Sequence, residues 1–322
     1  MKKSLLIAID GSYMEYHSIF RAIRLWSGRN RLEAKSYLTP RIDGSQSNLI
    51  NSDTFKSELY NSFLHTCYVI PEIIESNFGQ YRGFDIRGYA TIVFCADDFT
   101  SHGFRKQIYE DYKGKRTESR AKNPYDLYKI KKYFKILFDQ TDVWNRCGFK
   151  YAFVDGAEGD DIIYTLMTTY GKNYDNRVVI ASDKDLLQIP DTLQFDLNDK
   201  IVKREGKYGP ISAQDFLIRK ILIGDASDNI PQVFNRVGPA KAEKIIREGR
   251  LKDMFIKHPG SAEQFELNMK LMDMSQMPEE LHQRIETSLA EVLKNESEET
   301  FSLDEEIENM LGAPIQLWKV MA

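Results

Sequence analysis

Nine carboxylates stand in five short clumps along the chain: Asp10 in LLIAIDG, Asp97 in IVFCADD, Glu158, Asp160 and Asp161 in EGDD, Asp183 and Asp185 in ASDKD, and Asp225 with Asp228 in GDASDN. So many like charges cannot share one crevice unless cations neutralise them. All-oxygen donor sets select hard ions such as Mg²⁺ or Mn²⁺. A pair of such ions acting on a phosphodiester is the chemistry to which these residue types point.

Each clump also has an ordinary explanation. Asp10-Gly11-Ser12 could be only a turn or a helix cap. Asp97-Asp98 is more telling, because no turn requires two acids after a buried apolar strand; Asp97 is the better candidate, with Asp98 already in the loop. Acids at the start of a helix complement its dipole, worth about 0.3–1 kcal/mol each, but three in four positions exceed that need. Glu158 and Asp161 share a helix face, whereas Asp160 projects elsewhere. Asp183 could cap a helix, and Asp225 and Asp228 could be turn residues. Five such coincidences at one sheet edge are harder to accept than any one alone.

The elements that must position these acids are legible. SLLIAID (4–10), TIVFCAD (91–97), YAFVD (151–155) and RVVIAS (177–182) are apolar runs of the kind buried in a parallel sheet. Helical stretches are predicted at about 13–26, 53–77, 124–140 and 158–170. The alternation predicts an α/β, doubly wound, mainly parallel sheet, whose strand ends would gather the acids at one edge. Residues 191–209 read as an edge hairpin turning at Asn198-Asp199. After 210 the pattern becomes helix, turn, helix, with Gly238-Pro239 opening a helix whose amides could face a phosphate.

Length suits one large α/β domain plus a smaller satellite. No apolar run reaches the roughly 20 residues that span a bilayer, and MKKSLLIAID does not read as a signal peptide. Cys67, Cys95 and Cys147 have no metal-ligand spacing and read as reduced packing residues of a cytoplasmic protein. The net charge of −4 conceals a split: setting the nine acids aside leaves 39 acids against 44 Lys and Arg. A polyanionic substrate is therefore not excluded. From Arg105 to Lys135 there are 11 Lys or Arg against four acids, interleaved with Phe104, Tyr109 and Tyr112. Such a stretch can guide and stack a single strand; otherwise it is a solvated charged face.

The segments IDGS, IVFCADD, YEDYKGKR, VDGAEGDD, VIASDKDLLQI and GDASDNIP resemble, in order and spacing, the 5′-nuclease family of flap endonucleases. The likeness spans about residues 4–248, and the extra carboxy-terminal helices make the chain most similar to the phage ribonuclease H type. The resemblance implies a PIN-like nuclease domain over 1–210 with a basic arch at about 99–135. A helical domain over 211–322 would follow, with a helix–three-turn–helix at about 220–248. It implies two Mg²⁺ or Mn²⁺ ions, with Asp10, Asp97, Glu158 and Asp160 at the first and Asp183, Asp185 and Asp225 at the second. Asp161 and Asp228 would act directly or through water. Lys113 would touch the scissile phosphate, with Arg105 and Arg116 beside it. Lys106, Lys115, Arg120, Lys122, Gly238, Ala240 and Lys241 would contact nucleic acid.

The implied activity is 5′-3′ exonuclease and 5′-flap endonuclease action at single-strand/duplex junctions of DNA or RNA/DNA hybrid during replication, by a monomer. A sliding clamp and a single-strand-binding protein are the implied partners. Two departures stand out. Arg236-Val237-Gly238 replaces the family's Gly-Ile-Gly, which bears on a K⁺ ion at the helical hairpin. His17 stands where the family has a basic residue, with Arg21 one turn further on. A PIN-domain ribonuclease and a catalytically silent junction-binding protein are the alternatives. In GAPIQLWKVMA, Ile315, Leu317 and Trp318 could dock a partner or pack as a terminal helix.

Overall fold

The computed structural model describes residues 4–38, 45–83, 86–98, 103–115, 123–141 and 147–294, with backbone alone at 87 and 137–141. Arg116, Arg120, Lys122, Ile315, Leu317 and Trp318 lie outside the described residues.

Five parallel strands form the sheet: β1 (Leu5–Asp10), β2 (Ala90–Ala96), β3 (Lys150–Phe153), β4 (Asn176–Ile180) and β5 (Leu193–Phe195), in the order β3-β2-β1-β4-β5. The apolar runs are continuous because both faces are covered. Leu5, Ile7 and Ile9 face α1 (Gly11–Arg29), α3 (Asp53–Asn77) and α5 (Leu127–Thr141), in a core with Trp26, Phe55, Phe63 and Phe134. The shorter α2 (Arg31–Leu38) lies between α1 and α3 in sequence, and α4 (Gly103–Ile108) follows β2. Leu6 and Ala8 face the other way, onto Ile162, Ile163 and Leu166 of α6 (Gly159–Thr165) and its π-helical continuation to Tyr170.

Beyond the sheet, α7 (Ala213–Ile223), α8 (Pro239–Arg247), α9 (Leu251–Lys257) and α10 (Ser261–Met272) have an apolar core of their own, including Leu222, Phe234, Val237 and Ile245. Asn268 ties this unit together by donating to the carbonyls of Ile221 (2.9 Å) and Pro231 (2.7 Å). The chain then returns. In α11 (Glu279–Lys294), Leu281, Ile285 and Leu289 repeat every fourth position and pack on the sheet's second face. Residues 211–294 are thus not one body apart from the sheet.

The expected edge hairpin is different in kind. Its first arm is β5, a parallel member of the main sheet, and its second arm is reduced to one bridge, Phe195 to Ile201. The turn itself is present, with Asp199 at φ 59° and Asp196 Oδ1 accepting from Asn198 N and Lys200 N. A short antiparallel pair, β6 (Glu205–Gly206) and β7 (Gly209–Pro210), follows, and its turn amides at Lys207 and Tyr208 are held by Glu243 of α8. All three cysteines are buried free thiols. No helix among the described residues is long and apolar enough to cross a membrane.

Candidate active site

The chain runs from β1 outward through β2 to β3 and then crosses to β4 on β1's other side. A crevice opens where such a sheet reverses direction, outside the carboxyl ends of its strands. Asp10 ends β1, Asp97 follows β2, Glu158 and Asp160 open the helix after β3, and Asp183 and Asp185 follow β4. Parallel register therefore carries four distant stretches to one edge. The resulting cleft is lined by Asp10, Asp97, Glu158, Asp160, Asp183, Asp185 and Asp228, together with Lys113 and Arg105.

The first bank is held by backbone donors. Asp10 caps α1 and accepts from Tyr13 N at 3.0 Å. Asp97 accepts from Ser12 Oγ on one oxygen and from Gly159 N, at 2.6 Å, on the other. Gly159 is required by that approach, since a Cβ there would meet the Cys95 carbonyl at 3.0 Å and the Asp97 carboxylate at 3.2 Å. Asp98 turns away and accepts from Gly156 N at 2.9 Å. Burial, then the neighbouring Asp97, raises the Asp10 carboxyl to about 7. Burial, then Asp183 and Asp10, pushes Asp160 well above the carboxylate range.

Asp161 lies outside the cleft. It is fully buried, and both its oxygens accept from Arg105, at 2.7 Å and 3.0 Å. The same guanidinium reaches Glu158 Oε2 at 3.3 Å and the Leu271 carbonyl at 2.9 Å. Burial opposes the charge on Arg105, but Asp161 and Glu158 outweigh it and hold the group protonated. Lys113 approaches Glu158 Oε1 at 2.6 Å from a backbone with φ 57°, and its N–H donates to the Asp228 carbonyl at 3.0 Å.

The second bank stands on turns. Asp183 Oδ1 accepts from Asp185 N at 2.8 Å. Lys220 of α7 bridges Asp185 (2.6 Å) and Asp225 (3.2 Å). Asp225 is not among the lining residues; its Oδ1 accepts from Ser227 N and Ser227 Oγ in a local turn. Burial raises Asp185, with Asp183 adding to it, to about 6. At Asp225 burial works the same way, yet Ser227 and Lys220 carry its carboxyl below the ordinary range. Gly224 makes this turn possible: φ is 66°, and a Cβ would fall 2.4 Å from the Ile230 and Pro231 carbonyls.

Seven acids thus share one cleft, while Asp161 and Asp225 are engaged beside it by an arginine and a lysine. Among the described residues no three side chains already close on one point as a finished ligand cage. The donor set is nonetheless all oxygen and densely anionic, which fits hard divalent cations. Of the nucleic-acid candidates, Gly238, Ala240 and Lys241 form the exposed first turn of α8, Lys115 is exposed and Lys106 half-buried. Arg236 itself adopts the left-handed conformation, φ 61°, so the turn before α8 is made without the family's first glycine.

The expected stacking platform is a correction. Phe104 and Tyr112 are buried, Tyr112 beside Ile221, Ile230, Leu271 and Met272, and only Tyr109 stays partly open. Aromatics between charges in sequence read as exposed; here a neighbouring helical unit covers them.

Several residues around the cleft had no signal in the sequence. Leu271, Met272 and Met274, apolar residues with no chemical motif around them, line the cleft. Gln188 couples them to the second bank by bonding the Met272 carbonyl, Met274 N and the Asp185 carbonyl. Lys220, one turn before Asp225 at a helix end, was legible in principle as a cation beside helix carbonyls.

Comparison with known proteins places this arrangement. Residues 81–210 match the family model of the 5′-3′ exonuclease N-terminal, resolvase-like domain. Over that stretch the chain is similar to 5′-3′ exonucleases. The matched stretch holds β2 through β7 and five of the seven lining acids, Asp97, Glu158, Asp160, Asp183 and Asp185, and leaves Asp10 and Asp228 to flanking segments. The chain is 33% identical over 178 residues to DNA polymerase I of Deinococcus radiodurans, covering 53% of this chain and 17% of that one. It is 32% identical over 143 residues to the 5′-3′ exonuclease of Buchnera aphidicola subsp. Schizaphis graminum, covering 42% of this chain and 46% of that one. The chain thus spans less than half the length of these two curated relatives. In fold it matches the bacteriophage T5 flap endonuclease solved with DNA and metal ions (TM-score 0.57, 16% identity, 90% of this chain and 100% of that one). A second T5 structure, co-crystallised with metal ions, matches with TM-score 0.53 at 18% identity, covering 96% and 98%.

Proposed function

We propose that this protein is a divalent-metal-dependent 5′-nuclease that hydrolyses phosphodiesters near single-strand/duplex junctions, as a 5′-3′ exonuclease and 5′-flap endonuclease on DNA and on RNA primers. The observation that carries the reading is the gathering of seven carboxylates with Lys113 and Arg105 in one cleft at the sheet's reversal point. Asp10, Asp97, Glu158 and Asp160 would hold one ion, and Asp183 and Asp185 a second, with Asp225 and Asp228 supporting it. Bound there, Mg²⁺ or Mn²⁺ would neutralise the cleft, polarise the phosphate and acidify an attacking water.

The chain's own residues do the rest. Lys113 presents a fixed ammonium to phosphoryl oxygens as their charge grows. Arg105, locked between Glu158, Asp161 and the Leu271 carbonyl, braces the helix start that carries Glu158 and Asp160. Functionally, 1–210 supplies the nuclease cleft with its basic stretch at 99–135. The unit at 220–248 grips duplex through the exposed first turn of α8, whose amides suit a phosphate and whose altered turn at Arg236 bears on a K⁺ ion. Shape and charge, rather than base reading, then select the junction.

The test is an assay of 5′-labelled flap, nicked duplex and RNA-primer hybrid with and without Mg²⁺. Metal-dependent release of short 5′ products is expected; flap binding without any cleavage would favour the silent junction-binding alternative. Lys113→Ala is expected to slow single-turnover cleavage by roughly 10²–10³ while binding holds. An equal loss of affinity with an unchanged single-turnover rate would move Lys113 to the binding surface.

A further inference from the structure

Lys131 belongs to a basic run whose side chains are expected in solvent, yet it is only 6% exposed. Its ammonium lies 3.1 Å from Glu15 Oε2, 3.0 Å from Ser12 Oγ and 4.5 Å above the Tyr16 ring. Glu15 is equally buried, on the first turns of α1. Ser12, between them and the cleft, donates to Asp97 Oδ2.

The donor inventory gives this contact a direction. An ammonium has protons to give and no lone pair, so Ser12 Oγ accepts from Lys131. The single hydroxyl proton of Ser12 is then free to point at Asp97. Gly159 N secures the other Asp97 oxygen at 2.6 Å, so the carboxylate is gripped from both sides. Because Glu15 balances the lysine's charge, Lys131 contributes orientation with little net repulsion toward a cation. Groups behind a ligand fix its orientation, and their loss typically weakens metal affinity by about 10–100-fold.

We infer that Lys131 is a positioning residue: through the Ser12 hydroxyl it sets the Asp97 carboxylate for divalent-metal binding, and Glu15 holds Lys131 in place. The inference rests on the metal-centre reading above and adds residues from α1 and α5 to it. Neither Lys131 nor Glu15 lines the cleft.

The experiment titrates the full chain with Mn²⁺ and follows the free ion by electron paramagnetic resonance. Ser12→Ala and Lys131→Met are each expected to weaken Mn²⁺ binding about ten-fold. The double variant should be no weaker than either alone, as for two links of one chain. Ser12→Thr, which keeps a hydroxyl, should retain wild-type affinity, and flap DNA binding without divalent ions should not change in any variant. Since Lys131→Met leaves Glu15 without its counter-charge, Lys131→Met/Glu15→Gln is measured alongside and should show the same ten-fold loss. Wild-type Mn²⁺ affinity in Ser12→Ala and in Lys131→Met/Glu15→Gln overturns the inference and leaves the metal centre standing. A wild-type chain that takes up no Mn²⁺ overturns the metal centre, and this inference with it.

Discussion

The two banks of the cleft hold their acids by opposite means. On the first, Asp10, Asp97, Glu158 and Asp160 are set by parallel register and helix starts, and backbone amides of Tyr13 and Gly159 hold two of them. On the second, Asp185 and Asp225 stand on irregular turns, and one lysine, Lys220, draws them together. On the first bank burial, then the neighbouring acids, pushes Asp10 and Asp160 toward the protonated form. On the second bank burial still raises Asp185, to about 6, while Ser227 and then Lys220 carry Asp225 below the ordinary range. A scaffold of strands can crowd charges that a turn could not hold, because its geometry is fixed by a core elsewhere.

The comparison can be broken first at Asp160, the acid most surrounded by others. Asp160→Asn should abolish cleavage and preserve flap binding, since it removes a donor from the crowded bank and relieves repulsion there; retained Mg²⁺-dependent turnover would contradict the site. Next comes Arg105→Met. It strands fully buried Asp161 as an unpaired charge, and breaking such a pair costs about 3–5 kcal/mol, read as a lowered midpoint in denaturant. Adding Asp161→Asn should recover part of that loss.

A smaller effect is expected from Gly224→Ala, which tests the turn-built bank alone. A left-handed backbone held against two carbonyls implies a cost of about 1–3 kcal/mol, with cleavage impaired more than Mn²⁺ uptake by the first bank. Smallest is the pH response of the metal-free chain. The folded-state carboxyl of Asp10 is raised from 3.8 to about 7, so between these values the folded chain holds a proton that the unfolded chain releases. Stability in a chelator should therefore fall as pH rises from about 4 to about 7. Divalent ions should reverse that slope. Asp10→Asn should flatten it, and Asp225→Asn, at a carboxyl shifted downward, should not.

Much of this is legible in the amino-acid sequence. Apolar runs ending in acid gave β1, β2, β3 and β4 with their neighbouring helices, and α3 falls at 53–77 as read. The hairpin at 191–209 keeps its turn and one antiparallel bridge, Phe195 to Ile201, but its first arm pairs mainly with β4. A three-residue strand at the edge of a parallel sheet carries too little pattern to distinguish its partner β4 from its own downstream segment. Burial of Phe104, Tyr112 and Lys131 was equally hidden, because a basic run gives no sign that another helix will cover it.

By itself, then, the sequence determined which acids follow the strands and that a parallel sheet would bring them to one edge, since periodicity and strand direction are local properties of the chain. Only the tertiary structure decided what holds each acid. Asp161 and Asp225 are engaged beside the cleft while seven others line it, and α11 and the Leu271–Met274 segment close around the same sheet. Those outcomes depend on which cation arrives from a distant part of the chain, such as Arg105 at Asp161, 56 residues away, or Lys220 of α7 at Asp185. Such contacts are set by packing, and packing leaves no periodic mark.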